Sequence, residues 1–169
     1  MSPATPEPPG LPHEYWMSQA MTLATAAGEF GEVPVGAVIL DSQGQVVSTG
    51  ANRRQRDNDP TAHAEIIALR QAGQIRGTWY LTDCTLYVTL EPCPMCTGAI
   101  LQARIKTLIY GTTDPKAGAM GTVINIPTSP AAFHRLDVIG GVLGEDCRAQ
   151  LQAWFREHRQ RAKEKFPQE

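Results

Sequence analysis

Strand-like and helix-like stretches alternate along this chain, and that alternation limits its fold more than any single residue does. His13 opens a helical pattern, with Trp16, Ala20, Leu23 and Ala27 at i, i+4, i+7, i+11 and Gly28 as a stop. Val35–Leu40 reads as a buried strand, Asp41-Ser42-Gln43-Gly44 as a turn, and Gln45–Thr49 as the hairpin partner. Asn52–Asp59 is a polar loop that carries Arg53, Arg54 and Arg56. In Asp59-Pro60-Thr61 two N-caps and an N1 proline predict a helix from about Ala62 to Ala72, closed by Gly73. Thr85–Thr89 is a third strand, Pro94–Ala103 a short helix and Lys106–Tyr110 a fourth strand. Residues 111–130, rich in Gly, Pro and Thr, receive no element. Leu136–Ile139 follows as a fifth strand, then a helix from about Glu145 to Lys165 with Cys147, Leu151, Trp154 and His158 on one stripe. More than twenty residues separate strands four and five, too many for a tight hairpin, so that pair is expected to run parallel. The expected fold is a helix-flanked mixed sheet whose parallel part is built by right-handed crossovers.

A length of 169 residues suits one domain, expected over 13–169 behind a Pro-rich, unstructured leader, Met1–Pro12. The longest apolar runs are as short as Val35–Leu40, far below a membrane span. The leader lacks the basic and apolar regions of a secretory signal. A cytoplasmic setting is expected, where the four cysteines serve metal binding or catalysis rather than disulfides. The net charge of −2 hides a gradient: residues 1–100 carry 5 basic and 10 acidic groups, and residues 101–169 carry 10 and 7. Segment 148–165 holds six basic residues against two acidic, which reads either as an electrostatic footprint or as plain solvated surface.

The chemistry concentrates in two short stretches. Pro92-Cys93-Pro94-Met95-Cys96 puts two sulfurs three residues apart where a helix begins, and its N-terminal N–H groups favour thiolate. His63, expected in the first turn of another helix, adds a third donor. Three protein donors with an open fourth place is the catalytic zinc arrangement, whereas structural zinc is closed by four. Glu65 stands two residues from His63 and cannot share its helix face, so it is expected beside the ion as a proton carrier rather than as a ligand. The two cysteines alone are compatible with a structural zinc knuckle or with buried thiols. Cys84 and Cys147 are expected in the core, and His13 and His158 as structural or solvated residues. His134 reads equally as a site-rim residue or as an ordinary surface histidine.

His63-Ala64-Glu65 with Pro92-Cys93-Pro94-Met95-Cys96 resembles the signature of the zinc-dependent nucleobase deaminases. The blocks Glu32–Ala37, Asp59–Ile66, Thr85–Cys93 and Asp114–Ala119, with the opening His13–Met17, resemble the bacterial tRNA adenosine deaminases over about residues 13–160. That resemblance implies a three-layer α/β cytidine deaminase-like fold with a five-stranded mixed sheet. It implies one zinc ion per subunit on His63, Cys93 and Cys96, with Glu65 as proton shuttle. It implies that Asn52 hydrogen-bonds the extruded nucleoside, that the Ala64 N–H meets the adenine edge, that Val33 and Pro34 wall the pocket, and that Asp114 contacts the sugar-phosphate. It further implies a homodimer acting on the wobble adenosine of a tRNA anticodon stem-loop. The chain departs from that pattern at Pro115, in the proline-rich Ile126–Pro130 segment and in its leader. The alternatives are a deaminase of a free guanine- or cytosine-type base or nucleotide, and a non-catalytic RNA-binding subunit that keeps zinc for folding.

Overall fold

The computed structural model describes residues 10–166, so most of the Pro-rich leader lies outside the described residues. Helix α1 (His13–Glu29) precedes a hairpin of β1 (Gly36–Leu40) and β2 (Val46–Ala51). A four-residue helix, α2 (Arg54–Asp57), leads to α3 (Ala64–Arg76), β3 (Thr85–Leu90) and α4 (Pro94–Gln102). Strand β4 (Thr107–Thr112), strand β5 (Asp137–Gly140) and helix α5 (Gly144–Lys165) complete the chain. The sheet order is β2-β1-β3-β4-β5. β1 is antiparallel to both neighbours, while β3, β4 and β5 run parallel as the long connection predicts.

Strand β1 explains the layering. All five residues of Gly-Ala-Val-Ile-Leu are buried, because helices cover both faces of the sheet. Val38 and Leu40 join Trp16, Met17 and Ala20 of α1, together with Tyr87, Ile109 and Cys147. Ala37 and Ile39 point the other way, into a core with Ala68 and Leu69 of α3 and Ile100 and Leu101 of α4. Successive strand residues face opposite sides, so each layer is written into alternate positions. Cys84 and Cys147 sit in these cores with their thiols pushed up to about 12 by burial, as expected of inert sulfurs.

Two glycines set how closely the helices approach. A Cβ on Gly36 would stand 2.0 Å from the Ala20 carbonyl oxygen of α1, and one on Gly50 2.1 Å from that of Ala64 in α3. No side chain fits either place, and the second contact presses the start of α3 against the sheet.

Some boundaries differ from expectation. Helix α3 starts at Ala64 rather than Ala62, with His63 as its extended N-cap. The reason is local: Asp59 Oδ1 accepts both the N–H and the hydroxyl of Thr61, closing an Asx turn around Pro60. Gly73 stays helical, and Gly77, at φ 65°, supplies the left-handed C-cap. The polar loop contains the helical turn α2, ended by Asn58 in the left-handed region. On α5 only Cys147 of the anticipated stripe is fully buried. His158 is exposed and stacks on Trp154 with ring centroids 4.7 Å apart.

Candidate active site and metal centre

Two helix N-termini on the same side of the sheet build the centre. His63 caps α3, Cys93 caps α4 and Cys96 lies in the first turn of α4, whose N1 position is Pro94. His63 Nδ1 stands 3.8 Å from Cys93 Sγ and 3.4 Å from Cys96 Sγ. Tetrahedral zinc with ordinary Zn–N and Zn–S bonds separates such donors by about 3.6 Å, so the triangle fits one ion. Among the described residues no other His, Cys, Asp or Glu joins this cluster. The donor set is two soft sulfurs and an imidazole, which suits zinc and leaves the fourth corner to a non-protein ligand.

The electrostatics favour a thiolate at Cys93. Cys93 is drawn down to about 4, chiefly by a hydrogen bond from Cys96 and, against the cost of burial, by His63. Cys96 is pushed up because it donates that hydrogen bond and is buried. The Cys93 hydrogen bond raises His63. Glu65 is 4% exposed; burial pushes its carboxyl up to about 7, opposed by its own backbone N–H and by His63. It lies outside the donor cluster and next to it, a place for a group that exchanges protons near neutrality.

The neighbouring walls follow from one amide. Asn52 Nδ2 donates to the Val33 carbonyl at 2.9 Å, and Asn52 Oδ1 accepts the Ala64 N–H at 2.9 Å. Asn52 thus ties the segment after α1 to the start of α3, and the Ala64 N–H is already engaged. Val33 is half-buried and Pro34 buried. Asp114 Oδ1 accepts the N–H groups of Lys116 and Ala117, the geometry of a turn-starting Asp. A groove of about 1080 Å³ runs between Val33 and Asp114 on one side and Arg148, Phe155, Arg156 and Arg159 of α5 on the other.

The three arginines of the polar loop separate in space. Arg54 lines a smaller cleft with Val33, Asn52 and Phe155. Arg53 pairs with Asp57 at 3.0 Å, and Arg56 lies over the Phe30 ring. Of the three, Arg54 alone borders that cleft. His134 donates to or accepts from nothing at the centre; its Nε2 contacts the Ile105 carbonyl at 2.7 Å. His13 is buried against the Tyr87 hydroxyl at 2.8 Å. Sequence reasoning passed over Glu91, a buried carboxylate at the end of β3. Its signal was an acidic residue closing the apolar run Thr85–Leu90.

A helix–sheet–helix fold with a His/Cys/Cys triangle at paired helix N-termini and a buried carboxylate beside it defines a zinc-dependent deaminase. The chain matches the cytidine and deoxycytidylate deaminase zinc-binding region over residues 11–112, which contain all three donors. It is 41% identical to the tRNA-specific adenosine deaminase of Bacillus subtilis over 150 residues, 89% of this chain and 92% of that protein. The same-named protein of Haemophilus influenzae is 44% identical over 89% of this chain and 87% of its own length. A solved structure from work on A-to-I editing by tRNA:A34 deaminases at the wobble position superposes with a TM-score of 0.78. That structure is 41% identical, over 80% of this chain and 98% of the other. The chain belongs to the family of zinc-binding cytidine and deoxycytidylate deaminases, on the branch of the tRNA-specific adenosine deaminases, and its cofactor is zinc.

Proposed function

We propose that this chain converts adenosine to inosine by hydrolysis at the wobble position of a tRNA anticodon loop, as a single deaminase domain over residues 13–169. The observation that carries the reading is the triangle of three donors, with no fourth among the described residues, set beside buried Glu65 and a groove bordered by arginines. His63, Cys93 and Cys96 hold the ion. Bound zinc supplies Lewis-acid chemistry that brings the pKa of water near 7. Glu65 takes a proton from the attacking water, which adds at C6 of the adenine. It passes that proton to N1, then takes the proton of the new C6 hydroxyl and delivers it to the amine, so that the C6 carbonyl forms and ammonia leaves. A carboxyl held near 7 suits both halves of that task.

Asn52 keeps one amide hydrogen beyond its bond to Val33, free to donate to the nucleoside. A substrate atom that receives the Ala64 N–H displaces Asn52 Oδ1 from it. Val33 and Pro34 wall the base, and Asp114 faces the sugar-phosphate. The basic face of α5 meets phosphates across the groove. A single-stranded anticodon loop makes extrusion of the base less costly than in a duplex. The active form is a homodimer in the cytoplasm; no described helix is long and apolar enough to cross a membrane.

The test is sequencing of a tRNA anticodon stem-loop before and after incubation with the zinc-loaded protein. Adenosine-to-guanosine changes at the wobble base are expected. Turnover of only free guanine, cytidine or adenosine in parallel reactions overturns the reading.

A further inference from the structure

The segment after β4 has no regular structure over residues 113–119, yet it forms one wall of the groove. What holds it is the side chain of Glu91, 1% exposed at the end of β3. Glu91 Oε2 accepts the Asp114 N–H at 3.0 Å, and Oε1 accepts the N–H groups of Met120 at 3.1 Å and Thr122 at 3.2 Å. The backbone adds two bonds: the Glu91 N–H donates to the Thr112 carbonyl and the Ala119 N–H to the Pro92 carbonyl. Among the described residues no salt bridge involves Glu91, so its charge is met by peptide dipoles. The loop wraps so closely that a Cβ on Gly118 would lie 2.3 Å from Glu91 Oε2. Two residues further along the chain comes Cys93, a metal donor.

We propose that Glu91 is a positioning residue for substrate binding: its carboxylate fixes the 112–122 loop so that the Asp114 side of the groove stands in register with the metal donors and with Arg148, Arg156 and Arg159 opposite. An acceptor-only group is required. A carboxylate offers acceptor sites on both oxygens, whereas an amide of the same size turns an NH₂ toward one of the three N–H groups. Cys93 and the loop are then held by adjacent residues of one strand end, so wall and metal centre move as one body. The inference rests on the proposed function for what fills the groove, and on the coordinates alone for what holds the loop.

Glu91→Gln separates the two levels. Hydrogen exchange at Asp114, Met120 and Thr122 is expected to quicken at least about 10-fold in the variant, while the α4 amides and zinc content stay unchanged. Unchanged exchange at all three amides overturns the clamp, whatever the substrate. With an anticodon stem-loop, KM is expected to rise about 10-fold with kcat within about threefold, the pattern of lost binding rather than lost chemistry. Glu91→Asp, which keeps the acceptors, is expected to recover part of that KM. Combined with Asp114→Ala, the KM effects are expected to add to less than their sum, because both act through one loop. Lost zinc with a matching fall in kcat overturns the proposal in favour of a metal-site role. If the wild type converts only a free base, the functional reading and the RNA-positioning role both fall, while the exchange result still decides the clamp.

Discussion

The metal centre and the α5 wall of the groove are made of opposite materials. On the inner side, at the centre, α3 and α4 press their N-termini into the sheet, and Ala64, Glu65, Cys96 and Thr97 are all buried. On the outer side, no residue of α5 after Cys147 is buried, and its second half presents Arg156, Arg159, Arg161, Lys163 and Lys165 to solvent. The inner side must hold donor atoms within tenths of an ångström, which only close packing over two helix starts supplies. On the proposed function the outer side attracts a flexible polyanion, a task that arginines on an exposed helix meet with little demand on geometry. Reactivity is thus placed where the chain is most constrained, and capture where it is least.

Changes on the inner side should be the costliest. Glu65→Ala is expected to cut deamination by about 1000-fold or more while zinc stays at about one ion per chain, read by product assay and elemental analysis. A rate near wild type would remove the proton-shuttle role and blur the contrast. His63→Ala is expected to reduce bound zinc to essentially none. It should also lower Tm by about 10 °C, the shift that about 3 kcal/mol produces in a chain of this size, because metal binding and folding are linked. Gly50→Ala forces a methyl group against the Ala64 carbonyl and should destabilise the fold by about 1–3 kcal/mol in chemical denaturation. Retained stability there would mean that α3 can slide without harm, which the donor geometry forbids.

The outer side should respond more gently. Arg156→Glu is expected to weaken anticodon stem-loop binding by about 10-fold at 50 mM salt, with unchanged Tm and unchanged kcat at saturation. The slope of log K against log salt should become shallower by about one to two, measured by fluorescence titration. An Arg156→Glu effect confined to kcat would place α5 in the chemistry and erase the distinction between it and the metal centre.

Much of the inner side was legible as residue types and spacing. His63, Cys93 and Cys96 were readable as donors because few other roles suit that combination, and Glu65 as their neighbour because it stands only two residues from His63. The exact helix start was not legible: Asp59 and Thr61 both look like N-caps, and their mutual hydrogen bonds, seen only in the folded chain, turn them into a separate turn and leave the cap to His63. Arg53, Arg54 and Arg56 are near-identical in sequence terms, yet Asp57 and Phe30 claim two of them. Glu91 was hidden for a different reason. Its three partners lie 23, 29 and 31 residues downstream, and they are backbone N–H groups, which no residue letter announces.

The order of elements, the parallel pairing of β4 with β5 and the identity of the metal donors were fixed by local pattern and chain length, because periodicity, connection length and ligand chemistry act through neighbours in the chain. Tertiary structure alone decided which polar groups were spoken for: the Asn52 bridge, the Glu91 clamp, the two glycine contacts and the division of the arginines. Such partnerships depend on the distances that remain after two layers of helices have closed on a sheet, and those distances belong to the assembled molecule.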